Sequence, residues 1–258
     1  MGPIDIVIYI SIGLAAATSG ALMGVGGGYL MVPIFIFMGF IKEAPGLSSF
    51  IIIFIAISAS LKYGYKKLIN YRLGLLFAPF TIIGTFLGAF LFDIVDNTVF
   101  RIVFSILVVI IGIRLIVKKE KPEEDLQNKR QEQRKSYYWI IMWGFITGVT
   151  ASFIGIGGGL IAVPVLTLFF LEEMHFAVAT SLFIMIFTAA ASTGAHLYYG
   201  NLTEGVLIIG IIIAIGAVVG SQIGSYIQPH LKGTTLQVLF GCFMIGIAIP
   251  LLWLRPLL

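Results

Sequence analysis

Two stretches of this sequence have the composition to bind an anion without using a charged side chain. Gly24-Val25-Gly26-Gly27-Gly28 is followed by Val32-Pro33, and Gly155-Ile156-Gly157-Gly158-Gly159 by Val163-Pro164, at one constant offset. Each glycine weakens a helix by about 1 kcal/mol relative to alanine, so either cluster should end one helix and let another begin. The first N–H groups of a new helix have no partner within it and carry the positive end of its dipole. Glycine leaves that backbone open to close approach, and the product is an anion site. Pro33 and Pro164 fall inside the short segments that follow and are expected to kink them. The competing reading is helix packing. Gly20, Gly24 and Gly28, like Gly216, Gly220 and Gly224, are spaced by four, as small residues are where helices approach closely.

Hydroxyls accompany both clusters. Ser48 and Ser49 follow the first and Thr180 and Ser181 the second, as candidate donors to an oxyanion or, alternatively, as caps and back-bonds to their own helices. Thr18 and Ser19 precede the first cluster, and Thr150 and Ser152 the second. Asn70 and Asn201 recur after the third segment of each half, where a turn role competes with a ligand role. His196, beside Tyr198 and Tyr199, is a candidate proton carrier at the outer end of its segment.

The elements that position these residues follow from where charge is absent. The 258 residues are 59% hydrophobic and only 11% charged. No Asp, Glu, Lys or Arg occurs from Ile6 to Ile41, Leu73 to Phe92, Ser136 to Leu171, Gly205 to Leu231 or Gly233 to Leu254. About 20 apolar residues cross a bilayer as a helix, so the chain is expected to be an all-α polytopic membrane protein. Ten segments are expected: 3–23, 28–41, 45–64, 72–93, 98–117, 138–154, 159–171, 176–197, 204–227 and 233–254. The second and seventh are too short for a comfortable span.

The segments form two repeats of five, residues 1–117 and 138–258, joined by a charged linker, 118–137. Five is odd, so the second repeat should enter the membrane inverted. Charge agrees: Lys62, Lys66, Lys67 and Arg72 flank the loop after the third segment, whereas the matching loop after the eighth carries no Lys or Arg. The positive-inside rule places the first loop and the linker in the cytoplasm, with both termini outside. The N-terminus lacks the basic region of a cleaved signal peptide.

The doubled GxGGGxxxVP motif, with "LSS" at Leu47–Ser49 and "ATS" at Ala179–Ser181, resembles the sulfite exporter TauE/SafE family over essentially the whole chain. The resemblance implies a transporter of sulfur-containing oxyanions or organosulfonates in a prokaryotic plasma membrane. "LSS" in place of "ATS" in the first half keeps the polarity of that position.

The remaining composition excludes other classes. The net charge of +4 belongs to cytoplasm-facing loops rather than to a nucleic-acid surface. One cysteine, Cys242, and three unclustered histidines make neither a disulfide framework nor a metal site. No cofactor is expected and no nucleotide-binding loop is present. The expected partners are a small anionic substrate and membrane lipids. Within the segments there is no midplane Asp or Glu and no nucleophile–base pair, so an intramembrane enzyme is disfavoured. An anion channel built on the same helix starts is the alternative to a carrier.

Overall fold

The computed structural model describes residues 2–94, 97–117, 137–170 and 172–253. Among the described residues there are ten α-helices, one 3-10 turn and no strands. In chain order they are α1 (Pro3–Met23), α2 (Gly28–Phe37), α3 (Ala44–Tyr65), α4 (Tyr71–Ile94), α5 (Asn97–Val117), α6 (Tyr137–Ile154), α7 (Gly159–Leu168), α8 (Met174–Tyr198), α9 (Glu204–Ile227) and α10 (Gly233–Trp253). The linker 118–137 lies outside the described residues except for Tyr137, which opens α6. Helix is the outcome that hydrocarbon dictates, because every backbone donor must then be satisfied within its own segment. Five of the helices are long and apolar enough to cross a bilayer, as expected of a polytopic protein.

The long helices pair across the two halves. The first helix of each half lies along the fourth of the other: α1 along α9, and α6 along α4. Glycine makes both approaches. A Cβ on Gly216 would lie 2.0 Å from the Ile10 carbonyl oxygen, one on Gly220 2.3 Å from that of Leu14, and one on Gly224 2.2 Å from that of Thr18. The twin seam has Gly84 at 2.2 Å from the Phe145 oxygen and Gly88 at 2.3 Å from that of Val149. The third helices, α3 and α8, face each other, as do the fifth, α5 and α10.

Contact order along these seams fixes direction. Ile10, Leu14 and Thr18 meet Gly216, Gly220 and Gly224 in ascending order, so α1 and α9 run parallel. Leu47 meets Gly210 and Ser58 meets Val218, so α3 runs with α9. Gly46 meets His196 and Ser49 meets Ser192, so α3 and α8 run opposite ways. By the same ordering α6 runs with α4, and α4 with α8, on which Asn70 and Gly74 meet Thr180 and Phe183. The first helices of the two halves are therefore antiparallel, and the repeat is inverted.

The expected short segments are shorter still: α2 and α7 have ten residues each. Ten residues rise about 15 Å, half of a bilayer's hydrocarbon thickness. A groove between the start of α1 and the end of α2, lined by Ile8, Ile12, Ile34 and Phe37 among others, shows that α2 doubles back along α1. The outward faces of the long helices carry isoleucine, leucine and phenylalanine, such as Ile83, Phe86, Ile110, Ile211 and Ile215. The centre is closed by buried Ile51, Ile52, Ile55, Ile184 and Met185.

Candidate functional site

Both glycine clusters break the helix in the same way. Gly24, Gly26 and Gly27 have φ of 75°, 79° and 83°; Gly155, Gly157 and Gly158 have 74°, 79° and 85°. A side chain is strained in this left-handed region, so the repeated glycines are required by backbone conformation. The Gly20 carbonyl accepts from the N–H groups of Gly24, Val25 and Gly26, ending α1 tightly. Gly27 and Gly158 then cap α2 and α7.

The two breaks meet at the centre of the pseudo-symmetric bundle. A Cβ on Gly28 would lie 2.5 Å from the Gly155 oxygen, and one on Gly159 2.2 Å from the Gly24 oxygen. Gly26 and Gly157 both face the Met185 methyl and Ile52. All ten residues of the two clusters are buried. Broken helix and close packing, the two readings of the glycines, are thus both realised: the break creates two helix starts and the absent side chains let them touch.

Two hydroxyls tie each break to the opposite repeat. Ser48 of α3 donates to the Gly155 oxygen at 2.8 Å, and Ser181 of α8 donates to the Gly24 oxygen at 2.9 Å. All four residues are buried. Each break oxygen is held by a serine hydroxyl and lies against the first residue of the other repeat's short helix.

The other sequence candidates separate into groups. The Ser49 hydroxyl lies 2.9 Å from that of Ser192, one step along α3 from the Ser48 hydroxyl that holds the break oxygen. Thr180 accepts from the Asn70 N–H at 2.9 Å, at the α4 end rather than at the glycines. Asn70 itself accepts from the Leu73 N–H at 3.1 Å and donates to Glu172 at 2.9 Å, so it caps α4 and closes a turn. Asn201 is buried, and its N–H donates to the His196 carbonyl at 2.8 Å. Thr18, Ser19 and Thr150 bond carbonyls one turn back on their own helices, and Ser19 also accepts from the Tyr29 hydroxyl. Pro33 and Pro164 lie within α2 and α7. His196 is wholly buried rather than interfacial; its Nε2 is 3.1 Å from the Ser152 carbonyl and 3.4 Å from its hydroxyl.

Sequence comparison of the halves misses Thr188, which donates to the Gly157 oxygen at 3.2 Å. Its counterpart in the first repeat is Ile55, so repetition does not reveal it. Helical periodicity would have: Ser181, Met185, Thr188, Ser192 and His196 form one stripe of α8. Among the described residues no group of His, Cys, Asp or Glu could hold a metal ion.

The family model described as sulfite exporter TauE/SafE matches residues 9–251. The probable membrane transporter protein YunE of Bacillus subtilis is 27% identical, over 96% of this chain and 97% of that protein. A probable membrane transporter protein of Methanocaldococcus jannaschii is 24% identical, over 92% of this chain and 91% of its own length. No solved structure matches. The chain is a multi-pass membrane transporter and belongs to the TauE/SafE sulfite exporter family.

Proposed function

We propose that the protein is a secondary transporter of small, singly charged sulfur oxyanions or organosulfonates, and that the anion binds where the two glycine breaks meet. The observation that carries this reading is the reciprocal pair of Ser48 on the Gly155 oxygen and Ser181 on the Gly24 oxygen. In this closed arrangement each carbonyl oxygen occupies the place of an anion oxygen. When the breaks part, the two hydroxyls and the two helix starts become free to receive a guest. Alternating access then consists of the inverted repeats parting toward one side and then toward the other.

The electrostatics select charge. Each helix start carries about half a positive charge, so two supply roughly one unit. Among the described residues no Asp, Glu, Lys or Arg is buried beside the breaks. Desolvation cost rises roughly with the square of charge, whereas hydrogen bonds to a charged group contribute only about 1.5–3 kcal/mol each. A monovalent anion therefore suits the site better than a divalent one. The basic linker and the Lys62–Arg72 loop are assigned to the cytoplasm of a prokaryotic plasma membrane, and the termini to the outside.

A thermal-shift screen of the purified protein against sulfite, thiosulfate, sulfate, sulfoacetate, taurine and chloride tests this. Bisulfite, the monovalent form of sulfite, should raise the melting temperature more than the divalent sulfate, thiosulfate and sulfoacetate at equal concentration, and Ser181→Ala should weaken that binding several-fold. Sulfate binding as tightly as any monovalent sulfur anion would refute the neutral, dipole-built site.

A further inference from the structure

The stripe along α8 continues past the break as a chain of hydrogen-bonding side chains. Ser49 and Ser192 hydroxyls are 2.9 Å apart, Ser192 donates to Ser152 at 3.2 Å, and the Ser152 hydroxyl is 3.4 Å from His196 Nε2. All four side chains are wholly buried. One end is Ser49, the neighbour of Ser48, which bonds the Gly155 oxygen. The other is His196, after which α8 emerges at exposed Tyr198 and Tyr199. Among the described residues His196 is the one wholly buried side chain of the Asp, Glu, Lys, Arg and His types.

The inverted repeat supplies an internal control. In the first repeat the positions equivalent to Ser192, Ser152 and His196 are Ala59, Ala21 and Tyr63, and Ser49 corresponds to Leu182. Tyr63 donates to the Ala21 oxygen at 2.9 Å, the same contact that His196 makes with the Ser152 oxygen at 3.1 Å. The fold is thus served on one side by alanine, leucine and tyrosine, without any chain. Burying hydroxyls where apolar groups suffice brings no stability, so the second repeat's chain calls for another explanation.

Resting on the transporter reading above, we infer that His196, Ser152, Ser192 and Ser49 form a proton relay between the outer end of α8 and the anion site. With the Ser192 hydroxyl turned from Ser152 toward Ser49 and the Ser152 hydroxyl turned toward Ser192, an imidazolium Nε2–H breaks as an O–H forms on Ser152; the Ser152 proton passes to Ser192, the Ser192 proton to Ser49, and the Ser49 proton to a basic oxygen of the bound anion. Each hydroxyl ends with one proton, the imidazole becomes neutral, and the anion loses one negative charge. The step requires an anion that accepts a proton near neutral pH, as the sulfite dianion does and a simple sulfonate does not. It turns a divalent guest into the monovalent form that two helix starts can hold. Around His196, α3 presents Gly46, α6 presents Ser152 and α4 presents Phe92. The carboxylates nearest in sequence to these contacts and to the α8–α9 turn are Glu43, Asp93 and Glu204. The side chains of the last two lie outside the described residues.

The test uses the full chain in liposomes and radiolabelled sulfite, measured in two modes: accumulation driven by a pH gradient, and exchange at equal pH. The wild type should do both. Ser192→Ala, which places in α8 the residue its twin position already holds, should keep exchange within about twofold and lose at least tenfold of the gradient-driven accumulation. His196→Gln should lose the accumulation equally. Either variant accumulating sulfite like the wild type would overturn the relay, as would wild-type accumulation indifferent to the gradient. A wild type that moves sulfite in neither mode would remove the transport reading itself, and the relay with it.

Discussion

Replacing Gly28 with alanine separates close approach from backbone conformation, because Gly28, unlike Gly26 and Gly27, is not among the residues with positive φ. The new Cβ would sit 2.5 Å from the Gly155 oxygen, 2.7 Å from the Ile156 Cα and 2.9 Å from the Ser48 hydroxyl, where 3.4–4 Å is ordinary contact. Two of these neighbours are backbone, so the breaks must move apart by about 1 Å. Overpacking of this kind costs about 1–3 kcal/mol. Disturbing the Ser48 bond adds about 1 kcal/mol, and removing a helical glycine returns up to about 1 kcal/mol. The net is a loss of about 2 kcal/mol, which for a chain of this size lowers the melting temperature by roughly 4–8 °C. Thermal unfolding in detergent reads it, with Gly194→Ala as control. Gly194 lies within α8 with nothing within 4 Å of its Cβ position, so alanine there should leave stability unchanged or higher. The double variant Gly28→Ala/Gly159→Ala should lose less than the sum, because both wedge one interface. If Gly28→Ala is as stable as the control, the breaks are not in contact and the reasoning fails.

Asn70→Ala removes the cap on the Leu73 N–H and should cost about 1 kcal/mol of stability, while leaving the preference among anions unchanged; an altered preference in the thermal-shift screen would make Asn70 a ligand. Single cysteines at Lys66 and Gly200, which end α3 and α8, should react with an impermeant thiol reagent from opposite sides of the membrane once Cys242 is replaced. Reaction of both from one side would contradict the inverted arrangement.

The broad architecture was legible because hydrocarbon leaves little choice: charge-free runs become helices, and a doubled five-segment pattern with asymmetric loop charge becomes an inverted repeat. The glycine breaks were legible for a similar reason, since few sequences besides Gly-x-Gly-Gly-Gly tolerate three left-handed residues together. Side-chain direction was not. Ser48 and Ser49 are neighbours, as are Thr180 and Ser181, and each pair was read as a unit. Successive residues on a helix point about 100° apart, so Ser48 and Ser181 reach the opposite break whereas Ser49 reaches Ser192 and Thr180 reaches Asn70. His196 sits among interfacial tyrosines in the sequence. Its burial depends on Gly46, whose Cβ would lie 2.9 Å from that of His196 and which lets the start of α3 close over it. That contact joins residues far apart in the chain, and neither local pattern announces it.

The central claim is that backbone N–H groups at the two glycine breaks hold the anion. Hydrogen–deuterium exchange of the purified protein, with and without saturating sulfite, observes those groups directly. The account predicts that peptides covering residues 24–30 and 155–161 both exchange more slowly with sulfite present, together and to a similar degree. Sulfite bound under the same conditions, with both breaks exchanging at an unchanged rate and protection appearing elsewhere, would contradict it.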